Sequence, residues 1–361
     1  TRLIFERMLA KDKTPSFATE ATARAFKGIN FNFIGARKIC YVISGTVLLA
    51  GIISLCTRGL DFGVDFTGGR TYVVRFDKPV NTVEIQNAIA DKIGQTAEVK
   101  TYGGNEQVKI TTKYLFAAGE EATEADIAEA AQYTKEEPSV DDVVEVKFYL
   151  ALKDKFLPEG TTYDAFKNDY RMSSEKVGAT IAEDIKSSAA LAITFSLIVI
   201  FLYIAFRFRR WQFGVGSLVA LVHDTLFVFS MYSLFYSIMP FSMSIDQSFI
   251  AAILTVVGYS INDTVVVFDR IREYMATQTK RSLKDVMNGA VNSTLARTIN
   301  TSVTTLLVLI TIFIFGGEVI RGFIFAMMIG IAVGTYSSLF VATPITYDLL
   351  NRASKKDEDA Q

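Results

Sequence analysis

Apolar residues in this chain collect in six long runs, at residues 39–56, 189–206, 214–236, 249–268, 299–315 and 323–347. At ~1.5 Å per residue, a helix built on each run comes close to the ~30 Å of a bilayer's hydrocarbon core. Between the first two runs, residues 57–188 follow a shorter, mixed pattern. The β-branched and aromatic residues 71–76 predict a strand, and residues 82–93 have helical apolar spacing behind Asn81 as N-cap. Residues 98–102 and 107–112 predict two strands joined at Gly103-Gly104-Asn105, a hairpin signal. Helices are expected over 122–132 and 140–157, and a further strand over 164–172. Together these predict an α+β unit with helices on one face of an antiparallel sheet. The acidic, alanine-rich stretch 114–138 reads as a solvated insertion. Val177-Gly178-Ala179-Thr180 opens a helix that runs on into the second apolar run. Gly316-Gly317 leaves so short a link that the last two helices should be antiparallel neighbours.

The remaining segments are a linker at 1–38, an amphipathic linker at 269–298 and a tail at 348–361. Half of the 361 residues are hydrophobic and 21% are charged, too apolar for an ordinary soluble protein and too charged for a chain wholly in lipid. A polytopic membrane protein with one water-exposed domain fits both numbers. A formal net charge of −1 and an acidic domain give no footing for nucleic acid. Cys40 and Cys56 lie too far apart along one helix to bridge, and no Cys/His cluster indicates a metal. The chain starts at Thr1 without a signal-peptide pattern; it reads as an excerpt or processed product, with Leu3-Ile4-Phe5 ending a preceding helix. Lys and Arg number 8, 3, 6 and 3 in the segments 1–38, 207–213, 269–298 and 348–361, whereas the short loops on the other side hold only Arg321. By the positive-inside rule both ends are cytoplasmic and the α+β domain is extracytoplasmic.

Asp263 is the one residue of the run 249–268 expected to be charged at neutral pH. Placing a carboxylate there costs at least ~2.5–3.5 kcal/mol, so it should face protein, water or a partner. Thr255, Tyr259, Asn262, Asp263 and Val266 follow helical spacing and would put the polar members on one face. His223, the single histidine, adjoins Asp224 in the middle of the third run and suits a proton relay. Arg297 heads a stripe with Thr301, Thr304 and Thr305. It could approach Asp263 if the fourth and fifth helices pack side by side, and a mobile arginine would switch the proton affinity of a buried carboxylate. Plainer readings stand beside these: a carboxylate tying two helices, a packing hydrogen bond at His223, a snorkelling arginine. An intramembrane aspartyl protease could draw on Asp224 and Asp263, but neither sits in a Gly-x-Gly-Asp sequence. A serine protease built from Ser260 and His223 lacks an oxyanion stretch.

Several separated motifs resemble one family. They are GLDFGVDFTGG at 59–69, Val177-Gly178, Ala220-Leu221-Val222-His223-Asp224, GYSINDTVVVFDRIRE at 258–273, Arg297-Thr298-Ile299-Asn300-Thr301-Ser302, and GIAVGTYSS at 330–338. Over nearly its whole length the chain is similar to the SecF family, the second half of the SecDF protein-export motor. The resemblance implies six helices of the resistance-nodulation-division type, with an external ferredoxin-like domain between the first two. It implies an inner-membrane, non-enzymatic subunit that works with SecD and YajC beside the SecYEG channel. Such a subunit uses the proton-motive force, or sodium in some members, to assist a translocating preprotein, and needs no cofactor beyond the coupling H+ or Na+. Asp263 would be the cation-binding carboxylate and Arg297 its modulator, with Asp224 and Asn262 at further motif positions. The rival within transport is a small-molecule or lipid exporter half of the same architecture, for which the external domain looks too small. A purely structural scaffold is a third reading.

Overall fold

The computed structural model describes residues 30–116, 121–134, 136–239 and 241–359. The expected end of a preceding helix at Leu3-Ile4-Phe5 lies outside them. The first long helix, α1 (Phe33–Thr57), opens on Asn32, whose side chain accepts from the Gly35 N–H. Just ahead of it, Asn292 and Asn288 hold the chain. Phe31 N–H donates to Asn292 Oδ1 (2.9 Å), Asn292 Nδ2 donates back to the Phe31 carbonyl (2.9 Å), and Ile34 N–H donates to Asn288 Oδ1 (3.0 Å). After α1 a short helical turn, Val64–Thr67, leads into strand β1 (Gly69–Arg75).

The sheet domain continues with α2 (Thr82–Ile93), β2 (Glu98–Tyr102), β3 (Gly104–Thr112), α3 (Glu124–Ala131), α4 (Val140–Lys153) and β4 (Arg171–Val177). Its strands lie in the order β2-β3-β1-β4, all antiparallel. With α2 between β1 and β2 and α4 between β3 and β4, this is the split βαβ arrangement of ferredoxin-like domains. One core holds it. Tyr72, Val74 and Phe76 meet Ile85, Ile89 and Ile93 of α2 and Val144, Phe148 and Leu152 of α4. Burying each such side chain contributes roughly 1.5–3 kcal/mol.

Three local expectations are corrected here. Residues 164–170 lie in helical turns at Tyr163–Ala165 and Phe166–Tyr170, and the strand begins only at Arg171. Thr162 caps the first turn, and Tyr163 and Phe166, three apart, both enter the core beside Tyr149, a spacing that suits a helix and not a strand. Val177 closes β4, and Gly178 is the cap of the next helix. The acidic stretch is not simply solvated. Thr123 and Asp126 form a capping box on α3, Ala130 is buried, Asp126 pairs with Lys147 of α4 at 2.6 Å, and Tyr133 packs on Tyr149.

Five more long helices follow: α5 (Ala179–Phe208), α6 (Trp211–Phe235), α7 (Gln247–Thr277), α8 (Leu283–Phe315) and α9 (Ile320–Ala353), the last with a π-helical turn at Ser338–Ala342. Like α1, they are long and apolar enough to cross a membrane. Most exceed the apolar runs that predicted them; residues 269–298 are the ends of α7 and α8 around a turn at 278–282, rather than a separate linker. Helices α6, α7 and α9 form the centre, whereas α5 and α8 leave most of their apolar surface uncovered.

Candidate functional site

The centre of the bundle is polar because small residues let its helices meet closely. A Cβ on Gly334 of α9 would stand 2.9 Å from the Ser260 Cβ of α7, and a Cβ on Gly330 would collide with Val256. In this contact Ser260 and Ser337 donate to the same Asp224 oxygen, at 2.7 and 2.8 Å. The other oxygen, Oδ1, lies 3.0 Å from His223 Nδ1. Asp224 is wholly enclosed, and each partner supplies a hydrogen-bonding group that suits a carboxylate. Among the described residues His223 Nε2 has no hydrogen-bond partner.

Asp263 is also buried, at 3% exposure, but is held differently. Ser302 of α8 lies 3.5 Å from its Oδ2, at the limit of a hydrogen bond. That hydroxyl is also bonded to Thr335 of α9 (2.5 Å) and back to the Thr298 carbonyl (3.0 Å). The next residue of α7, Thr264, meets Ser338 at 2.8 Å, where the π-helical turn of α9 begins. Such turns recur at functional sites.

Helices α7 and α8 do pack side by side, the condition for bringing Arg297 near Asp263. Among the described residues Arg297 and Asp263 nonetheless form no ion pair, and the contact to the carboxylate comes from Ser302. The Arg297 side chain is exposed in a cleft of about 780 Å³, with Asp269, Arg270, Glu273, Ser293 and Thr294, at the end of the bundle away from the sheet. Arg297 is thus adjacent to the site, not in it.

The expected polar face of α7 divides. Ser260, Asp263 and Thr264 point inward; Thr255 and Asn262 are exposed, and Tyr259 is half-buried with its hydroxyl 3.1 Å from Thr305. Asn262 therefore does not join the cluster. Both protease arrangements also fail on geometry. Among the described residues Asp224 and Asp263 have separate hydrogen-bond partners and none in common, and Ser260 donates to Asp224, not to His223. The sequence did not single out Ser302, Thr335 or Ser337, which supply the hydroxyls around the two carboxylates. The available signal was the small-residue spacing Gly330–Gly334 followed by two serines.

A family profile described as Protein export membrane protein SecD/SecF, C-terminal, matches residues 159–352, more than half of the chain. The chain belongs to the SecD/SecF protein-export family. A second profile, the SecD/SecF GG Motif, matches residues 53–80 of this SecD/SecF chain. A protein translocase subunit SecF from Rhodothermus marinus is 42% identical over 92% of this chain and 97% of its own length. The SecF subunit of Haemophilus influenzae is 31% identical over 95% of this chain and 93% of its own. Among solved structures, SecDF, a translocon-associated membrane protein from Thermus thermophilus, superposes with a TM-score of 0.75 at 29% identity. SecDF in a super-membrane-facing form gives 0.63 at 27%. This SecD/SecF chain spans 42% and 43% of those two SecDF chains.

Proposed function

We propose that this chain is an accessory subunit of Sec protein translocation that takes its driving force from ions crossing the membrane at Asp263. The observation that carries the reading is the contrast between two buried carboxylates: Asp224 is fully hydrogen-bonded, whereas Asp263 is held by one long hydroxyl contact. A carboxylate so loosely held can exchange its charge balance without dismantling the bundle. Arg297, waiting in the adjacent cleft, pairs only with the ionised form, so loading Asp263 with H+ or Na+ releases it. The Asp224–His223 pair fixes α6 against α7 and α9 and lies within the same polar layer. Asn262 faces out of the bundle, toward the companion half.

In this reading the sheet domain lies outside the cytoplasm and both chain ends inside it, in keeping with the basic segments. The partners are then SecD, which completes the pair of helical halves, the SecYEG channel, YajC and the emerging preprotein. The subunit performs no covalent chemistry. The test is export of a secretory protein in cells whose single copy carries Asp263→Asn with its SecD half intact. Asparagine keeps the size but cannot ionise, so export should drop to the level of cells lacking the protein while membrane abundance is unchanged. Undiminished export would remove Asp263 as the coupling site.

A further inference from the structure

The stretch 59–69 and the start of α7 are far apart in sequence, yet they are joined backbone to backbone. Phe62 and Ile245 form a parallel bridge, in which Gly63 N–H donates to the Ile245 carbonyl (2.9 Å) and Ile245 N–H donates to the Asp61 carbonyl (2.7 Å). Side chains extend the join in both directions. The Asp61 carboxylate accepts from Ser244 Oγ at 2.9 Å and from Lys100 of β2 at 2.8 Å, so one residue ties the segment before α7 to the sheet. Asp65 accepts from the Gln247 N–H at 2.9 Å, and Asp246 from the Phe249 N–H at 2.7 Å. These amides are among the N–H groups that a helix start leaves without intrahelical partners, and carboxylates are the acceptors favoured there. Asp246 is α7's own cap; Asp65 comes from elsewhere.

The paired glycines explain how the segment reaches the sheet. Gly68 and Gly69 have φ of 67° and 133°, and a Cβ on Gly69 would stand 2.9 Å from the Thr112 carbonyl of β3. Only glycine fits that turn and that approach. Chain therefore passes from the α7 junction into β1 with no intervening linker.

We infer that residues 59–69 are a clamp that makes the sheet domain and the adjoining end of α7 move as one body, with Asp61 and Asp65 as its positioning residues. From Gln247 to Asp263 the helix runs about 24 Å at 1.5 Å per residue. A displacement of α7 that accompanies ion exchange is carried through Ser244, Ile245 and Gln247 to Asp61 and Asp65, and from Asp61 through Lys100 to the sheet. The inference rests on the ion-coupling reading of Asp263 and adds the route by which it reaches the domain.

Cross-linking provides the test, in the full chain with its SecD half and with exposed Cys56 changed to serine. A Cβ on Gly63 would lie 3.8 Å from the Ser244 Cβ, the usual separation across a disulfide. Gly63→Cys with Ser244→Cys should therefore cross-link on oxidation and, with the disulfide standing in for the lost Ser244–Asp61 contact, export as the unaltered chain does. Asp61→Ala with Asp65→Ala should lower export at least fivefold at equal membrane abundance. In the combined variant the disulfide should restore export, and reductant should remove it again. If the bond forms in the otherwise unaltered chain but not beside the two alanines, the carboxylates are what hold the segments together, which also supports the clamp. The clamp is overturned if oxidation stops export in the otherwise unaltered chain, if no bond forms there, if the double alanine variant exports normally, or if a formed bond fails to restore it. Asp263→Asn, measured alongside, separates the two proposals. Normal export from it removes the ion reading, whereas its failure beside a normal double alanine variant removes the clamp alone.

Discussion

Ser260 and Ser337 converge on one oxygen of Asp224, while Asp263 has one distant hydroxyl, and the two aspartates should respond differently to the same substitution. Asp224→Asn turns an acceptor of three contacts into a group with one acceptor oxygen and an NH2. It should cost on the order of 1–3 kcal/mol, seen as a lower Tm in detergent, whereas Asp263→Asn should leave Tm nearly unchanged while export is lost. Gly334→Ala should cost a similar ~1–3 kcal/mol by pressing on Ser260, again read as Tm. The charged members of this site were legible because apolar runs expose any ionisable residue. Their hydroxyl partners were not, because a serine or threonine in a helix can satisfy itself on its own backbone. Ser302 bonds the Thr298 carbonyl, Thr335 that of Ile331 and Ser337 that of Gly334, so their presence alone signals nothing about what else they hold.

Among the elements, α2 with its Asn81 cap and strand β2 coincide with their sequence pattern, because capping and alternation are local. The ends of the membrane helices were harder to read. Hydrophobicity marks where lipid stops, but helical hydrogen bonds continue until a cap ends them, as at Asn32, Asp246 and Ser282. In the sheet domain, Arg70 of β1 is 3% exposed and its guanidinium meets Asp141 of α4 at 2.7 Å. Burial pushes the Asp141 carboxyl up, but hydrogen bonds from Lys176 and Arg70 outweigh it and hold the group below the usual carboxylate value. Asp126 is lowered in the same way by Lys147 and Thr123. A lowered carboxylate contributes stability that is present above its unfolded value of about 4 and is lost as pH falls through the folded value. Hydrogen exchange along β1 and β4, after correction for intrinsic rates, should therefore lose protection below about pH 4. Asp141→Ala should abolish much of that pH dependence and, by stripping a buried cation, cost roughly 1.5–3 kcal/mol.

At the scale of the molecule, the outer helices carry two kinds of exposed surface. On α5, Leu191, Phe195, Ile198 and Leu202 are uniformly apolar, whereas within membrane-crossing helices Asn262 of α7 exposes an amide, and Thr255 of α7 and Thr304 of α8 expose hydroxyls bonded to their own backbones. Lipid accepts the first surface and disfavours the second, so the face shared by α7 and α8 should meet protein. Cysteines at Asn262 or Thr304 should cross-link to the SecD half, while one at Leu191 should react with a lipid-soluble label instead. The two ends of the bundle are also fastened by different chemistry. Where Phe31 and Ile34 meet Asn288 and Asn292 the bonds are all neutral amides, with the Arg37–Asp348 and Arg207–Asp269 ion pairs elsewhere at that end, whereas at the opposite end Asp61 pairs with Lys100 beside the backbone bridge to Ile245. Raising ionic strength from 0.1 to 1 M shortens the screening length from about 10 to about 3 Å. Concentrated salt should loosen Lys100 from Asp61 and leave the amide bonds of Asn288 and Asn292 in place, so brine becomes a way to tell these two fastenings apart.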